Sequence, residues 1–219
     1  MGLESFCRES GFPLVARQSA AFVCYEEALY SALSNVTRVP REECEVRHFI
    51  ESLLVAAYVP VGARVLDIGS GPGLPAWPLA CARPDLQVVA MDSNAKMLRV
   101  LSACPLDNLT YRKHRAEDVD ERERFDVVTG RAVAPLSAQI EVSAAWCRVG
   151  GAVVPFRTPY DRAQITGCNF GELGLSLESV EERTVPGTEI VRVFPVYRKF
   201  KKTPVAYPRD WAKIKSSPL

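Results

Sequence analysis

The chain has 219 residues, 47% of them apolar, which is enough to bury a hydrophobic core. Its net charge of +1 is unevenly distributed: from Arg198 onward there are seven Lys and Arg residues against one Asp, a net +6, so the remainder carries −5. The longest apolar stretch, LLVAAYVPVGA, is too short and too interrupted by proline to span a bilayer, which argues against a membrane protein. The basic end fits either a polyanionic partner or a solubilising surface.

The seven cysteines are odd in number and at least seventeen residues apart, so no pair has the spacing of a zinc knuckle or of a Cys-x-x-Cys redox motif. Several lie among apolar residues, which favours buried, reduced thiols and a cytosol-like compartment. The first residues, MGLESFCRES, lack the basic-then-apolar pattern of a signal peptide. We therefore expect a soluble cytoplasmic protein without a metal.

The first third of the chain has helical periodicity. Residues 19–34 place Phe22, Tyr25, Leu29 and Leu33 at helical spacing, and Asn35 ends the run. A second apolar stripe follows the i, i+3, i+4, i+7 pattern of an amphipathic helix, and Arg47 and His48 lie beside it. Its members are Val46, Phe49, Ile50, Leu53, Leu54 and Ala57.

From Arg64 the pattern changes to short apolar runs that alternate with helical segments. Such runs indicate a mostly parallel sheet covered on both faces, because the crossover helices bury each strand twice. The predicted strands are 64–68, 87–91, 109–112, 125–129 and 149–155, and a helix with Leu136, Ile140, Ala144 and Cys147 on one face precedes the last.

Two β-rich segments, 175–184 and 189–197, flank the turn sequence Val-Pro-Gly-Thr and predict an antiparallel hairpin at one sheet edge. The fold class is therefore α/β: a Rossmann-like, doubly wound, mostly parallel sheet with a C-terminal antiparallel hairpin and an N-terminal helical extension. This is the architecture of class I methyltransferases that use S-adenosylmethionine (AdoMet).

A glycine-rich loop follows the first strand. Gly69, Gly71 and Gly73 permit a sharp turn and a close approach of a ligand to the backbone. The spacing is GxGxG with a proline inside, which departs from the GxGxxG of dinucleotide enzymes. Asp67 at the end of the strand would repel a pyrophosphate, but it would accept a hydrogen bond from the ammonium group of AdoMet. A tight turn without a ligand is the alternative.

Three further positions continue the pattern at strand ends. Asp92 ends the second strand, where an acid binds ribose hydroxyls. Residues 115–118, Arg-Ala-Glu-Asp, follow the third strand and are either an adenine-contacting loop or a surface charge cluster. Arg131 follows the fourth strand inside an otherwise small and apolar hexapeptide, at the sheet edge where open α/β sheets bind ligands. We expect Arg131 to belong to a site.

Several strings together resemble the bacterial small-subunit rRNA guanine-N(7) methyltransferases, also called the glucose-inhibited division protein B family. They are LDIGSGPGLPAWPLA, MDSNAKMLRVL, HRAEDV, TGRAVAPL and YPRDWAKIKSSPL, with NVTRV and VRHFIESLL upstream. The likeness covers roughly residues 25–219. It implies that residues 61–219 form an AdoMet-dependent methyltransferase domain with a basic tail at 198–219, and that residues 1–60 form a helical extension packed on it as one compact unit.

The resemblance implies methyl transfer from AdoMet to nitrogen-7 of a guanine in 16S rRNA. Carried over by position, Gly69 and Leu74 contact the cofactor, Asp92 and Ser93 hold its ribose region, and Arg131 lies against it near the acceptor. Ala116 and Glu117 frame the adenine. Two departures affect the acceptor side: Phe156-Arg157-Thr158-Pro159 replaces the usual Lys-Gly, and the bulky Trp77 follows Ala76.

The chemistry needs no general base, because nitrogen-7 of neutral guanine carries no proton. This fits a chain with two histidines, His48 and His114, which we interpret as structural or solvent-facing. Catalysis would then rest on alignment, and we assign Arg131 to positioning.

The basic tail interleaves cations with aromatic residues, a composition that suits phosphate contact and base stacking on RNA. We therefore expect a monomer whose partner is 16S rRNA, in the small ribosomal subunit or an assembly intermediate. Removal of the last twenty or so residues should weaken RNA binding and spare AdoMet binding. The expected RNA-binding residues are Arg47, Arg157, Arg198, Lys199, Lys201, Lys202 and Arg209, with Lys213 and Lys215 further along the tail.

Other classes of function remain open on the residues alone. A nicotinamide-dependent oxidoreductase would need the GxGxxG spacing and a catalytic Tyr/Lys pair or His. A non-catalytic RNA-binding protein could retain a relic cofactor loop. An AdoMet enzyme acting on another RNA, a protein or a small molecule would share the cofactor residues, and the basic aromatic tail argues against it.

Overall fold

A computed structural model describes residues 1–32 and 36–219 and contains a seven-stranded sheet in the order β3-β2-β1-β4-β5-β7-β6. The strands β1 to β5 pair in parallel, whereas β7 runs antiparallel to both β5 and β6. The strands are β1 (Arg64–Ile68), β2 (Gln87–Asp92), β3 (Leu109–Lys113), β4 (Phe125–Arg131), β5 (Cys147–Phe156), β6 (Leu175–Thr184) and β7 (Val191–Lys199). The expected fold class, including the hairpin, is confirmed.

Helices cover both faces of the sheet. The α-helices are α1 (Leu3–Glu9), α2 (Ala16–Tyr30), α3 (Glu51–Leu53), α4 (Ala76–Ala82), α5 (Ala95–Ala103), α6 (Leu136–Ala144), α7 (Arg162–Gly167) and α8 (Trp211–Ser216). Short 3₁₀ helices occur at Arg41–Glu43, Leu54–Tyr58, Pro159–Asp161 and Gly171–Leu173. No helix of the described residues is both long and apolar enough to cross a bilayer.

The period of two along β1 divides the core into two clusters. Val65 points to the face that α2, α4 and α5 cover, whereas Leu66 and Ile68 point to the face that α6 covers. Each of these side chains is at most 1% exposed. A strand that is apolar on both faces belongs in the interior of the sheet, and β1 accordingly pairs with β2 on one side and with β4 on the other.

The N-terminal helices share one of these clusters. Tyr25 of α2 stacks on Trp77 of α4, with ring centroids 4.0 Å apart and planes 9° from parallel. Its hydroxyl donates a hydrogen bond to the Pro72 carbonyl, 2.8 Å away, inside the glycine loop. The bulky Trp77 thus fills the space between the extension and the loop, and it does not disturb α4, which begins at Ala76.

The apolar stripe at 46–57 does not form the single α-helix that its spacing predicts. The chain is π-helical at Glu45–Ile50, α-helical only at Glu51–Leu53 and 3₁₀ at Leu54–Tyr58. The wider π turn brings His48 into the interior beside the sheet, where an α-helical stripe would have left it at the margin. The predicted helix at residues 19–34 was expected to include Leu33 and to end at Asn35, and both residues lie outside the described part of the chain.

The last helix packs against the core. Ile214 of α8 is fully buried against Ala138 and Val142 of α6. This contact is hydrophobic and joins segments far apart in sequence, and the surrounding tail is anchored by polar contacts described below. The basic tail is therefore part of the folded domain over much of its length.

Candidate functional site

The glycine loop between β1 and α4 depends on left-handed backbone. Gly69, Gly71 and Gly73 have φ values of 65°, 57° and 111°. At Gly73 an added Cβ would lie 2.3 Å from the Leu101 side chain, so the position needs glycine for space as well as for conformation. The loop is therefore held close to α5, and its amide groups face the end of β2.

Asp92 anchors this loop from the next strand. Its Oδ2 accepts a hydrogen bond from the Gly71 amide at 2.8 Å, and its Oδ1 accepts one from the Asn94 amide at 2.7 Å. Asp92 is half-buried and the adjacent Ser93 is exposed. The Asp92 carboxylate is thus fixed by two backbone amides and partly open to solvent, so it can accept further hydrogen bonds from hydroxyl groups.

Asp67 differs from the sequence expectation. Its side chain is fully buried and lines no cleft, so a direct contact with a ligand ammonium group is not available in this conformation. Instead, Oδ2 accepts the Ala76 amide at 3.0 Å and caps α4. Oδ1 is buried without a hydrogen-bond partner among the described residues. Burial raises the pKa of Asp67 to about 8.

A cleft of about 330 Å³, here called the glycine-loop cleft, opens at the carboxyl ends of β1 and β2. Five of the expected cofactor residues line it, whereas Leu74 is buried behind the loop. They are Gly69, Asp92, Ser93, Ala116 and Glu117. The cleft combines this polar edge with apolar walls from Ile68, Met91 and Val133. Residues 115–117 are therefore part of a cleft wall, in addition to carrying the surface ion pair of Arg115 with Glu117.

Two residues of this cleft were not expected from the sequence. His114, interpreted as structural or solvent-facing, lines it at the end of β3. Trp211 reaches it from α8. Trp211 is one of the aromatic residues of the basic tail, whose composition suited base stacking on RNA, and only the packing of α8 on α6 brings its ring here. Nothing in the local sequence signals that long-range contact.

A second cleft of about 490 Å³, here called the arginine cleft, lies on the other side of the segment after β4. Ala132 lines both clefts and has a φ of 57°, which is uncommon for a residue with a side chain. A strained residue is kept only where its surroundings fix it, so the backbone at this junction is held by the residues around it. The two clefts thus meet at Arg131–Ala132.

Arg131 is held on the floor of the arginine cleft. Its Nη1 donates to the Arg47 carbonyl at 3.1 Å and to Glu51 Oε1 at 3.3 Å. The same Glu51 oxygen accepts from Arg192 Nε at 2.9 Å. Glu51 is only 3% exposed, so a single buried carboxylate holds two guanidinium groups side by side. The string HFIESLL contained this carboxylate, but sequence reasoning assigned it no role.

His48 also contacts Arg131 in the arginine cleft. Burial, together with the nearby charges of Arg131 and Arg47, lowers the pKa of His48 to about 4, so the ring is neutral at physiological pH. Arg131 Nη2 lies 3.4 Å from Nδ1, which must therefore be the acceptor. Nε2 then carries the proton and donates to the Thr37 hydroxyl at 2.6 Å. The structural interpretation of His48 is thus right about its burial, and the ring also lines the arginine cleft.

Arg157 does not fit the expected role of an exposed phosphate contact. It is buried, and its Nη1 donates to the Ala134 carbonyl and to Gln139 Oε1, each at 3.0 Å. Its other terminal nitrogen lies 3.4 Å from Asp161. Burial lowers its pKa. Arg157 therefore fixes the wall of the arginine cleft, and its assignment to the RNA-contacting set is corrected.

The tail cations divide into structural and exposed groups. Lys199 is 1% exposed and donates to the Ala144 carbonyl and the Thr203 hydroxyl, so its assignment to RNA binding is wrong. Arg209 holds the buried carboxylate of Glu141 through two nitrogens, at 2.8 and 2.6 Å. Surface ion pairs engage Arg198 with Glu178 at 2.7 Å and Arg47 with Glu43 at 2.8 Å. The exposed lysines are Lys201, Lys202, Lys213 and Lys215.

No group of three or more His, Cys, Asp or Glu side chains in the described part of the chain is placed to hold a metal ion. The clefts therefore present hydrogen-bond donors, carboxylates and apolar walls as their chemistry. An arrangement of this kind can bind and align two organic ligands on either side of Ala132.

Comparison with known proteins identifies similar sequences along the whole chain. The family model described as rRNA small subunit methyltransferase G matches residues 31–188. A protein of Lactobacillus johnsonii named ribosomal RNA small subunit methyltransferase G is 33% identical, and the alignment covers 100% of both chains. A protein of the same name from Roseiflexus castenholzii is 35% identical, with 91% of each chain covered.

Solved structures show the same fold at low identity. The M. jannaschii TYW2 in complex with AdoMet has a TM-score of 0.55 at 18% identity and covers 70% of this chain and 77% of its own. A 16S rRNA (adenine(1408)-N(1))-methyltransferase with cosubstrate SAM from Catenulisporales acidiphilia has a TM-score of 0.52 at 15% identity, covering 70% and 92%. These likenesses extend to the fold alone.

Proposed function

The chain belongs to the rRNA small subunit methyltransferase G family, and from this we propose that it transfers a methyl group from AdoMet to nitrogen-7 of a guanine in 16S rRNA. Membership confirms the resemblance noted in the sequence. The observation that carries the proposal is the junction of the glycine-loop cleft and the arginine cleft at Ala132. One cleft would take the methyl donor and the other the base, and their meeting at Ala132 would bring the donor methyl group next to nitrogen-7 for in-line transfer.

The glycine-loop cleft fits AdoMet in its chemistry. Asp92 and Ser93 would hold the ribose hydroxyls, and Ala116 and Glu117 would frame the adenine. Trp211 adds an aromatic wall to the same cleft. The amino-acid end would lie toward the glycine loop, where Gly69 lines the cleft. When bound, AdoMet supplies an electrophilic methyl group on a sulfonium.

The arginine cleft fits a guanine whose nitrogen-7 must remain free. Arginine pairs with the oxygen-6 and nitrogen-7 edge of guanine, but nitrogen-7 cannot accept from it during the transfer. Arg131, fixed by Glu51 and the Arg47 carbonyl, would therefore hold oxygen-6 and orient the ring. His48 is neutral and already hydrogen-bonded on both nitrogens, so it does not serve as a base.

The rate then depends on alignment. Well-oriented reactants can gain about 7–11 kcal/mol at best from being held together. No base is needed besides, because nitrogen-7 of guanine carries no proton. The rigid support of Arg131 on one side and of the glycine loop on the other would supply that alignment. This assigns Arg131, Glu51 and Arg192 to positioning.

The RNA partner is recognised by charge outside the clefts. The exposed cations Lys201, Lys202, Lys213 and Lys215 would meet phosphates of 16S rRNA, in the small subunit or an assembly intermediate. Phe200 is 52% exposed beside two of them and is available for base stacking. The protein would act as a monomer in the cytoplasm.

The decisive experiment incubates the protein with methyl-labelled AdoMet and small ribosomal subunits, followed by chemical cleavage at 7-methylguanine. Labelled 16S rRNA cut at one site is the expected result. Naked 16S rRNA and subunit precursors, run in parallel, identify the preferred substrate. Label on another base, on protein or on a small molecule would overturn the acceptor assignment. Binding of AdoMet and RNA without label would indicate a non-catalytic protein.

A further inference from the structure

Two of the seven cysteines meet in the fold although no sequence spacing pairs them. Cys24 lies on α2 of the N-terminal extension, and Cys104 follows α5 in the cofactor-binding half, eighty residues later. Their sulfur atoms are 2.9 Å apart. Both cysteines are free. Since a disulfide places its sulfurs at about 2.05 Å, bond formation brings these two atoms closer by roughly 1 Å.

The two thiols differ in access. Cys24 is exposed on the outer surface of α2, whereas Cys104 is 6% exposed and covered by the core. Burial is the largest cause that raises the pKa of Cys104, to about 12, so at neutral pH it stays a thiol. An oxidant from solvent therefore reaches Cys24 first. Cys24 is thus placed to react first with an oxidant, and Cys104 is placed beside it as the resolving thiol.

We propose that Cys24 and Cys104 form a modification site in which a peroxide joins the two sulfurs in an intramolecular disulfide. In the first step the Cys24 thiolate attacks one peroxide oxygen, the O–O bond breaks, and hydroxide leaves. In the second step the Cys104 sulfur attacks the Cys24 sulfenic acid and forms the S–S bond. The sulfenic oxygen leaves with the Cys104 proton as water. Overall, two thiols and one hydrogen peroxide give one disulfide and two waters.

The bond would act on contacts directly behind the glycine loop. The Cys104 carbonyl accepts a hydrogen bond from Trp77 Nε1 at 2.7 Å. Tyr25, the neighbour of Cys24, stacks on that same indole and donates to the Pro72 carbonyl in the loop. A disulfide would therefore tie α2 to the end of α5 across Trp77 and hold the extension against the loop. Reduction would release this tie while the packing of Tyr25 on Trp77 remains.

The test uses the full chain, reduced and then exposed to stoichiometric hydrogen peroxide. We expect the intact mass to fall by two hydrogen atoms and a single cross-linked peptide to join Cys24 to Cys104. Dithiothreitol should restore both. Because the cross-link closes a loop of about eighty residues, the melting temperature of the oxidised form should rise by about 5 °C or more.

Three variants separate this site from general thiol oxidation. Cys24→Ser and Cys104→Ser should each abolish the loss of mass, whereas Cys168→Ser, which removes another solvent-accessible cysteine, should leave it unchanged. Oxidation of Cys24 to sulfinic acid without a cross-link, or a disulfide that survives in Cys24→Ser, would overturn the proposal. These readouts are masses and melting temperatures, so they do not depend on the methyltransferase activity.

Discussion

At the residue scale, the arginine cleft depends on one carboxylate. Glu51 accepts hydrogen bonds from Arg131 and Arg192, both of which line the cleft. Without that negative charge, the two guanidinium groups would repel each other in a partly buried place, and each would find a new position. In our proposal Glu51 contacts neither AdoMet nor the guanine. It determines the position of Arg131, which contacts the guanine.

We therefore expect Glu51→Gln to lower kcat/KM for rRNA by about 10- to 100-fold, since small misplacements of a positioning group have costs of that order. The dissociation constant for AdoMet should change less than threefold, because the other cleft is untouched. Glu43→Gln is the matched control, since it removes an exposed ion pair with Arg47. Equal losses in the two variants would contradict the positioning role, and isothermal titration would report the AdoMet affinity of each.

The buried Asp67 gives a pH dependence of stability. The folded state raises its pKa to about 8 from 3.8, so between these values the folded protein holds a proton that the unfolded chain releases. The free energy of unfolding should therefore fall as the pH rises through this window. Asp67→Asn removes the titration and keeps an oxygen that can accept the Ala76 amide.

Denaturant titrations of both proteins at several pH values between about 5 and 8 measure the difference. We expect the wild-type chain to lose stability relative to Asp67→Asn as the pH rises. His48 titrates with the opposite sign at the acid end, because its pKa falls to about 4 on folding, but it is common to both proteins and cancels. Parallel pH profiles would refute the buried, high-pKa carboxyl.

At the scale of elements, the loop between β1 and α4 is fitted to α5. Gly73 has a φ of 111°, and an added Cβ would meet the buried Leu101 side chain at 2.3 Å and the Tyr25 hydroxyl at 3.1 Å. The loop cannot move away easily, because the Tyr25 hydroxyl and Asp92 hold it from two sides. The geometry of this loop thus depends on α2 and α5, which contact it through Tyr25 and Leu101.

Gly73→Ala should destabilise the protein by about 2–4 kcal/mol, the sum of an overpacked contact and a left-handed alanine. AdoMet affinity should fall as well, because the loop is displaced. Gly167→Ala is the control: this glycine has no atom within 4 Å of an added Cβ and no positive φ. Thermal unfolding with and without AdoMet measures both effects. A Gly73→Ala protein as stable as the control would contradict the packing argument.

The strands were predictable because their signal is local. Apolar runs such as RVLDI are buried on both faces, and Gly69, Asp92 and Arg131 lie at strand ends that topology brings to one edge. The site beyond that edge was not predictable in the same way. The π turn at His48, the buried Glu51 and the Trp211 wall each depend on partners far away in sequence. Likewise, counting the charged residues of the sequence does not reveal that Lys199 and Arg157 are buried.

At the scale of the whole molecule, the basic tail is a structural part of the folded domain, besides its proposed contact with RNA. Arg209 pairs with the buried Glu141, Ile214 packs on α6 and Trp211 lines the glycine-loop cleft. Removal of the last twenty residues would leave the Glu141 carboxylate without this cation and open the cleft. These contacts argue against the sequence-based expectation that truncation spares AdoMet binding: we expect the truncated chain to lose stability and AdoMet affinity together.

Surface substitution is the cleaner test of RNA binding. Changing Lys201, Lys202, Lys213 and Lys215 to alanine removes four exposed charges and no described ion pair. If all four meet phosphates, the slope of log K against log salt for 16S rRNA should be less steep by about 3 units. AdoMet binding and the melting temperature should stay near wild-type values. A filter-binding salt series measures the slope, and an unchanged slope would place the RNA elsewhere on the surface.

The position of Trp211 also has a consequence for synthesis. All seven strands and the glycine loop precede it in the chain, so they emerge from the ribosome first and can fold while the rest is still being made. The glycine-loop cleft lacks its Trp211 wall until residues 211–216 have been translated and have packed on α6. A chain whose synthesis has not yet reached Trp211 can thus contain every strand of the sheet while the proposed cleft for the methyl donor still lacks its aromatic wall.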